Sequence, residues 1–186
     1  MYSSILVPVD GSATAALGVA EAIKLAKNQD ATVRVIHIVN ELIVMGSNDA
    51  AYGLALVESL RQNGKTVLKD AEALVSAAGI KVDSILIEAM GDHAGHFIVQ
   101  QAKEWNADLI VMGTHGRRRL RRMVMGSDAE FVVRNTPVPV LLIRPATEHP
   151  QKTEHEGDDR EHRSLSTSPF TPCRSMSPVG SDYVGS

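Results

Sequence analysis

The 186-residue chain has a single cysteine, Cys173, and aromatic residues make up only 4% of it. One cysteine excludes an internal disulfide, so the fold must be held by its core, and a reducing, cytoplasmic setting is expected. No apolar run approaches the roughly 18 residues of a membrane-spanning helix, so no membrane partner is expected. The first residues carry no basic stretch or cleavage pattern, and secretion is not expected. Two phosphate-binding fingerprints are also missing: G-x-x-x-x-G-K-[ST] and G-x-G-x-x-G. The net charge is small, −3, and unevenly placed. Residues 1–145 hold 15 Lys/Arg against 15 Asp/Glu, and residues 146–186 hold 4 against 7. A neutral main body argues against general nucleic-acid binding.

What is present is a regular alternation of strand-like and helix-like segments. Ser4 to Val9 is a near-continuous apolar run, as a strand buried on both faces requires. Asp10-Gly-Ser12 ends it, with Ser12 placed to cap a helix in which Ala16, Val19, Ala20 and Ile23 recur at helical spacing. A second strand is predicted over Thr32 to Val39 and a long helix near 52–78, interrupted by Gly64 and stopped by Gly79. A third strand is predicted over Ile80 to Ala89, and a helix striped by Ala94, Ile98, Ala102 and Trp105 follows. Asp108 to Met112 and Val138 to Ile143 complete five strands. Such alternation predicts an α/β fold, a parallel sheet with helices on both faces. From 146 onward no apolar period remains, so 1–145 is expected to be the folded domain and 146–186 a disordered polar, Ser/Pro-rich tail.

The chemistry-bearing stretch follows the fourth strand. Gly113 and Gly116 are followed, after nine residues, by Gly126-Ser127 and a helix-like run from Asp128 to Asn135. Glycines at these intervals let main-chain N–H groups approach an anion. Ser127 and Glu130 read as an S-x-x-E capping box, which puts Ser127 at a helix N-terminus, where partial positive charge and unpaired donors suit a phosphate. Arg117, Arg118, Arg119, Arg121 and Arg122 lie between the glycines. Three fixed glycines and a hydroxyl match by chance in about 1% of chains this long. The other reading is a glycine-rich loop that only turns the chain.

With the opening Ile5-Leu-Val-Pro8-Val-Asp10-Gly-Ser12, His37-Ile38, Ala107 to Gly116 and the closing Val138 to Arg144, this pattern resembles the universal stress protein family, in its ATP-binding form. The resemblance covers about residues 1–144. It implies a five-stranded parallel sheet of order 3-2-1-4-5, Rossmann-like, and a homodimer through strand five, Val138 to Ile143. It also implies a nucleotide at the point where strand order reverses, ATP as cofactor, and Mg²⁺ or Mn²⁺ bridging its phosphates.

Roles carry over residue by residue. Pro8 and Val9 flank the nucleoside, or are ordinary strand residues. Asp10 accepts from ribose hydroxyls, or is only the turn residue of an Asp-Gly pair. Ile38 meets the adenine edge with its main chain, a role that rests on the resemblance alone. His37 beside it reads as a hydrogen-bonded core histidine rather than a metal ligand. Gly113, Gly116, Gly126 and Ser127 carry the triphosphate, with Met112, His115, Arg117 and Asp128 as neighbours. Asp128 would repel a phosphate, so its side chain is expected to turn away and stabilise the N-terminus of its own helix. One or two arginines reach the phosphates, and the others form a solvated basic loop. His93 and His96, near Asp92, lack a convincing third metal ligand.

The function implied is a nucleotide-regulated stress-response protein. A slow ATPase or nucleotidyl transferase at the same site, with His115 orienting water, is the alternative. A third reading is a protein that binds no nucleotide and works through dimerisation.

Overall fold

The computed structural model describes residues 1–41, 50–91, 93–116 and 125–144. Arg117 and the other loop arginines, Asp92 and the expected tail, 146–186, lie outside the described residues.

Five strands, β1 (Ser4–Pro8), β2 (Thr32–Asn40), β3 (Val82–Ala89), β4 (Leu109–Gly113) and β5 (Val140–Ile143), form one parallel sheet of order β3-β2-β1-β4-β5. Four helices connect them: α1 (Ala13–Gln29), α2 (Ala50–Ala77), α3 (Ala94–Glu104) and α4 (Ser127–Asn135). The strand order is the one the family resemblance implies, and the two helical layers are those the alternation of strands and helices predicts.

Alternation of side chains along each strand divides the core in two. Ile5, Val7, Val33, Val35, Leu109 and Val111 belong to one cluster, with Val19, Ala22 and Ala26 of α1 and Leu68, Ala71 and Val75 of α2. Leu6, Ile36, Ile110 and Met112 belong to the other, with Ile98, Val99 and Ala102 of α3 and Ala129 and Val132 of α4. Each fully buried aliphatic side chain contributes about 1.5–3 kcal/mol relative to exposure, so both faces stabilise the sheet.

Local chemistry sets the helix ends. Ser12 caps α1 as expected, its Oγ accepting from the Ala15 N–H at 3.1 Å. Gly79 follows α2 with a φ of +77°, a left-handed conformation that ends a helix and that glycine adopts without a Cβ penalty. The expected capping box at α4 does not form. Gly126, with φ −63° and ψ 149°, is the cap, and its carbonyl accepts from the Glu130 N–H at 2.9 Å. Ser127 is therefore already helical and makes no side-chain cap, and the Glu130 carboxylate instead pairs with Arg134 at 2.8 Å. Strand β5 begins at Val140, two residues later than expected, after the two prolines of Thr136-Pro-Val-Pro139, which have no N–H to give a ladder.

Candidate functional site

β1 and β4 are neighbours whose register runs only through Ile5↔Leu109 and Leu6↔Ile110. Beyond those pairs the chain after β1 turns towards α1, and the chain after β4 towards α4. A cavity of about 580 Å³ lies there, at the carboxyl ends of the strands where the order reverses. Pro8, Val9, Asp10, Ile38, Met112, Gly113, His115, Gly116, Gly126, Ser127 and Asp128 all line it. Of the expected site residues only Arg117 is missing from the lining, and it lies outside the described residues.

The Asp10 carboxylate is fixed by its own turn. Its Oδ1 accepts from the Ser12 N–H at 2.9 Å, and its Oδ2 lies against Gly116. A Cβ at Gly116 would stand 2.9 Å from that Oδ2, closer than unbonded atoms approach. Gly113 is constrained in the same way, because a Cβ there would come within 2.8 Å of Thr14 Cγ2 on α1. Both motif glycines are therefore demanded by protein packing as well as by any ligand. Neither has a left-handed φ.

At α4 the donors differ from the expected set. The Gly126 N–H donates to the Thr114 carbonyl at 2.9 Å, so it closes the loop rather than facing the cavity. Helix geometry leaves the N–H groups of Ser127, Asp128 and Ala129 without an intrahelical acceptor, and these three residues line the cavity. The Asp128 carboxylate serves another helix than the one expected: its Oδ1 accepts from the Gly95 N–H, in the first turn of α3, at 3.2 Å. Gly95 permits that approach, since a Cβ on it would meet Phe131 Cβ at 2.9 Å and the Asp128 carbonyl at 3.0 Å.

His37 is buried, and its Nδ1 hydrogen-bonds the Val9 carbonyl at 2.7 Å, which is the core role read from its apolar strand. Thr114 was not singled out in the sequence. It is buried, its N–H donates to the Ile143 carbonyl at 2.9 Å, and its Oγ1 shares a 2.9 Å hydrogen bond with His115 Nδ1. Asn40, Leu60 and Ile98 also line the cavity. They come from β2, α2 and α3, and no local motif marks residues brought in from separate elements.

Among the described residues no group of three or more His, Cys, Asp or Glu side chains is placed to hold a metal ion. Among the same residues no helix is long and apolar enough to cross a membrane.

The family model for the universal stress protein family matches residues 1–144. A universal stress protein of Methanocaldococcus jannaschii is 33% identical over 144 residues, which are 77% of this chain and 83% of that protein. The structure of a universal stress protein from Lactobacillus plantarum superposes with a TM-score of 0.67 at 25% identity, covering 77% of this chain and 98% of that one. One from Archaeoglobus fulgidus, solved in complex with dAMP, has the same fold, with a TM-score of 0.55 at 24% identity over 77% of this chain and 98% of that one. A match spanning the whole sheet, with a relative this similar over most of both chains, means that the chain belongs to the universal stress protein family.

Proposed function

We propose that this chain binds an adenine nucleotide, ATP foremost, in the cavity at the ends of β1 and β4, and that it acts as a nucleotide-regulated stress-response protein of the cytoplasm. The observation that carries the proposal is convergence. A fixed carboxylate at Asp10, the main chain at Ile38 and the first turn of α4 line one cavity of about 580 Å³, a volume suited to a ligand of that size. Asp10 accepts from ribose hydroxyls, and Ile38 meets the base. The Gly113 to Gly116 turn and the Ser127 to Ala129 amides take the phosphates, where helix partial charge favours an anion. The Archaeoglobus relative solved with dAMP supports an adenine nucleotide as the class. Mg²⁺ or Mn²⁺ would accompany the nucleotide, held mainly by its phosphate oxygens.

Nucleotide binding then acts as a switch, through its different affinity for two conformers of the protein. The protein is proposed to dimerise through β5, an edge strand among the described residues whose four apolar side chains are each only partly buried.

Calorimetric titration of the full chain with ATP, in Mg²⁺ and in EDTA, tests the site. Micromolar binding that Gly126→Val loses is expected, because its side chain would crowd the Thr114 carbonyl, 3.3 Å from a Cβ at that position. No binding by the wild type would remove the nucleotide and turn attention to the dimer surface.

One observation favours keeping hydrolysis in view: His115 lines the cavity with its Nδ1 held by Thr114. A hydrolytic role requires that His115→Ala keep ATP binding and lose turnover. Equal background turnover in both proteins would remove it.

A further inference from the structure

β2 holds β1 through a parallel ladder that stops one bond early. In the register Pro8↔Ile36, Val9 faces His37, and the Val9 N–H donates to the Ile36 carbonyl at 2.8 Å. Regular parallel pairing would next have the Val9 carbonyl accept from the Ile38 N–H. It accepts from the His37 side chain instead, Nδ1 to carbonyl at 2.7 Å, with His37 only 4% exposed. On the opposite edge of β2 the Val33 N–H donates to the Lys81 carbonyl. Odd-numbered main-chain groups of β2 therefore face β3, and those of Ile36 and Ile38 face β1. Among the described residues no strand faces Ile38 past Val9, and Ile38 lines the cavity.

A second feature holds this exchange in place. Gly64 interrupts the apolar stripe of α2, and a Cβ there would stand 2.7 Å from His37 Cδ2 and 2.8 Å from Leu86 Cδ1. The glycine makes room for the imidazole to lie between the sheet and α2. Gly64 is not itself in the cavity lining.

Resting on the adenine-site reading above, we infer that His37 is a positioning residue: by taking the Val9 carbonyl, it keeps the Ile38 N–H available to the base. Gly64 is its support. The side chain does in the protein what the missing ladder bond would do, and it clamps the peptide that precedes Asp10 at the same time.

Two measurements on the full chain test this. In the first, ATP and AMP affinities are compared by calorimetry for wild type, His37→Leu, His37→Asn and Gly64→Ala. His37→Leu and Gly64→Ala should each weaken both nucleotides about tenfold, the scale of one lost hydrogen bond. His37→Asn should stay within a few-fold of wild type, because the Asn amide can donate from the position of Nδ1. The second is hydrogen exchange at the Ile38 amide without ligand, which should slow in His37→Leu as the ladder bond forms. If wild type binds and His37→Leu binds equally well, with unchanged Ile38 exchange, the positioning role is overturned and the nucleotide site stands. If wild type binds neither nucleotide, the site reading fails. Slowed exchange in His37→Leu would still establish the exchange of partners at Val9.

Discussion

The two ends of the sheet are built differently. At the amino ends of the strands, side chains tie the elements together. Asp108 Oδ2, just before β4, accepts from the Ser3 and Ser4 N–H groups at 2.8 and 3.1 Å, which joins β4 to β1. Arg34 on β2 makes a two-point contact with Asp83 on β3, at 2.8 and 2.7 Å, and its guanidinium lies 4.6 Å from the centre of the Trp105 ring. At the carboxyl ends β1 and β4 separate, glycines bring backbone against neighbouring side chains, and a helix N-terminus is presented. The amino end is tied across strands by these side-chain bonds, whereas between β1 and β4 at the carboxyl end the glycines leave a cavity open. An open parallel sheet can therefore be stabilised at one edge and keep main-chain donors for a ligand at the other.

The largest expected effect comes from filling the clear end. Gly116→Val should reduce ATP affinity about 100-fold, since the new side chain collides with the Asp10 carboxylate. Calorimetry reads this loss, and thermal unfolding should report a smaller change than the binding data do. Equal losses of stability and affinity would erase the distinction between the two ends.

At the tied end the pattern should reverse. Asp108→Ala removes an acceptor shared by two N–H groups that are near solvent, and is expected to cost about 1–1.5 kcal/mol in urea unfolding. Its ATP affinity should equal that of wild type. A weakened ATP site in this variant would mean that the amino end also sets the geometry of the carboxyl end.

A smaller effect separates the two possible roles of Asp128. Asp128→Ala should lower stability by about 1 kcal/mol, by removing the carboxylate from the first turn of α3. ATP affinity should hold or rise, because a negative charge near the phosphates is gone. A fall in affinity at unchanged stability would make Asp128 a ligand contact after all.

The smallest expected effect belongs to Glu130. Glu130→Ala should change stability by no more than about 0.5 kcal/mol, as for an exposed helical ion pair with Arg134. A loss near 1 kcal/mol would instead restore the capping box.

These outcomes also bear on what the amino-acid sequence made legible. The strands announce themselves because burial on both faces forces continuous apolar runs such as Ile5 to Val7 and Leu109 to Met112. The position of the site followed from Gly113, Gly116 and Gly126 lying directly after a strand and before a helix. Local signals failed where a remote partner decides. Ser127 and Glu130 have the spacing of a capping box, but Gly126 already provides the cap and its carbonyl takes the first helical bond. The glycines were read through their freedom to approach a ligand, whereas Thr14 and Asp10 are what a side chain at Gly113 or Gly116 would strike. Gly64 looked like a flaw in a helix stripe because His37, its reason, is 27 residues away in sequence. Spacing encodes periodic contacts, and close approaches between elements leave no period behind.

If the nucleotide binds only at the carboxyl end of the sheet, amide hydrogen exchange of the full chain with and without Mg²⁺-ATP should slow at Ile38, Gly113 to Gly116 and Ser127 to Ala129, with Ser3 and Ser4 unchanged. No protection at those amides under saturating ATP, or protection concentrated at the amino end, would contradict that placement.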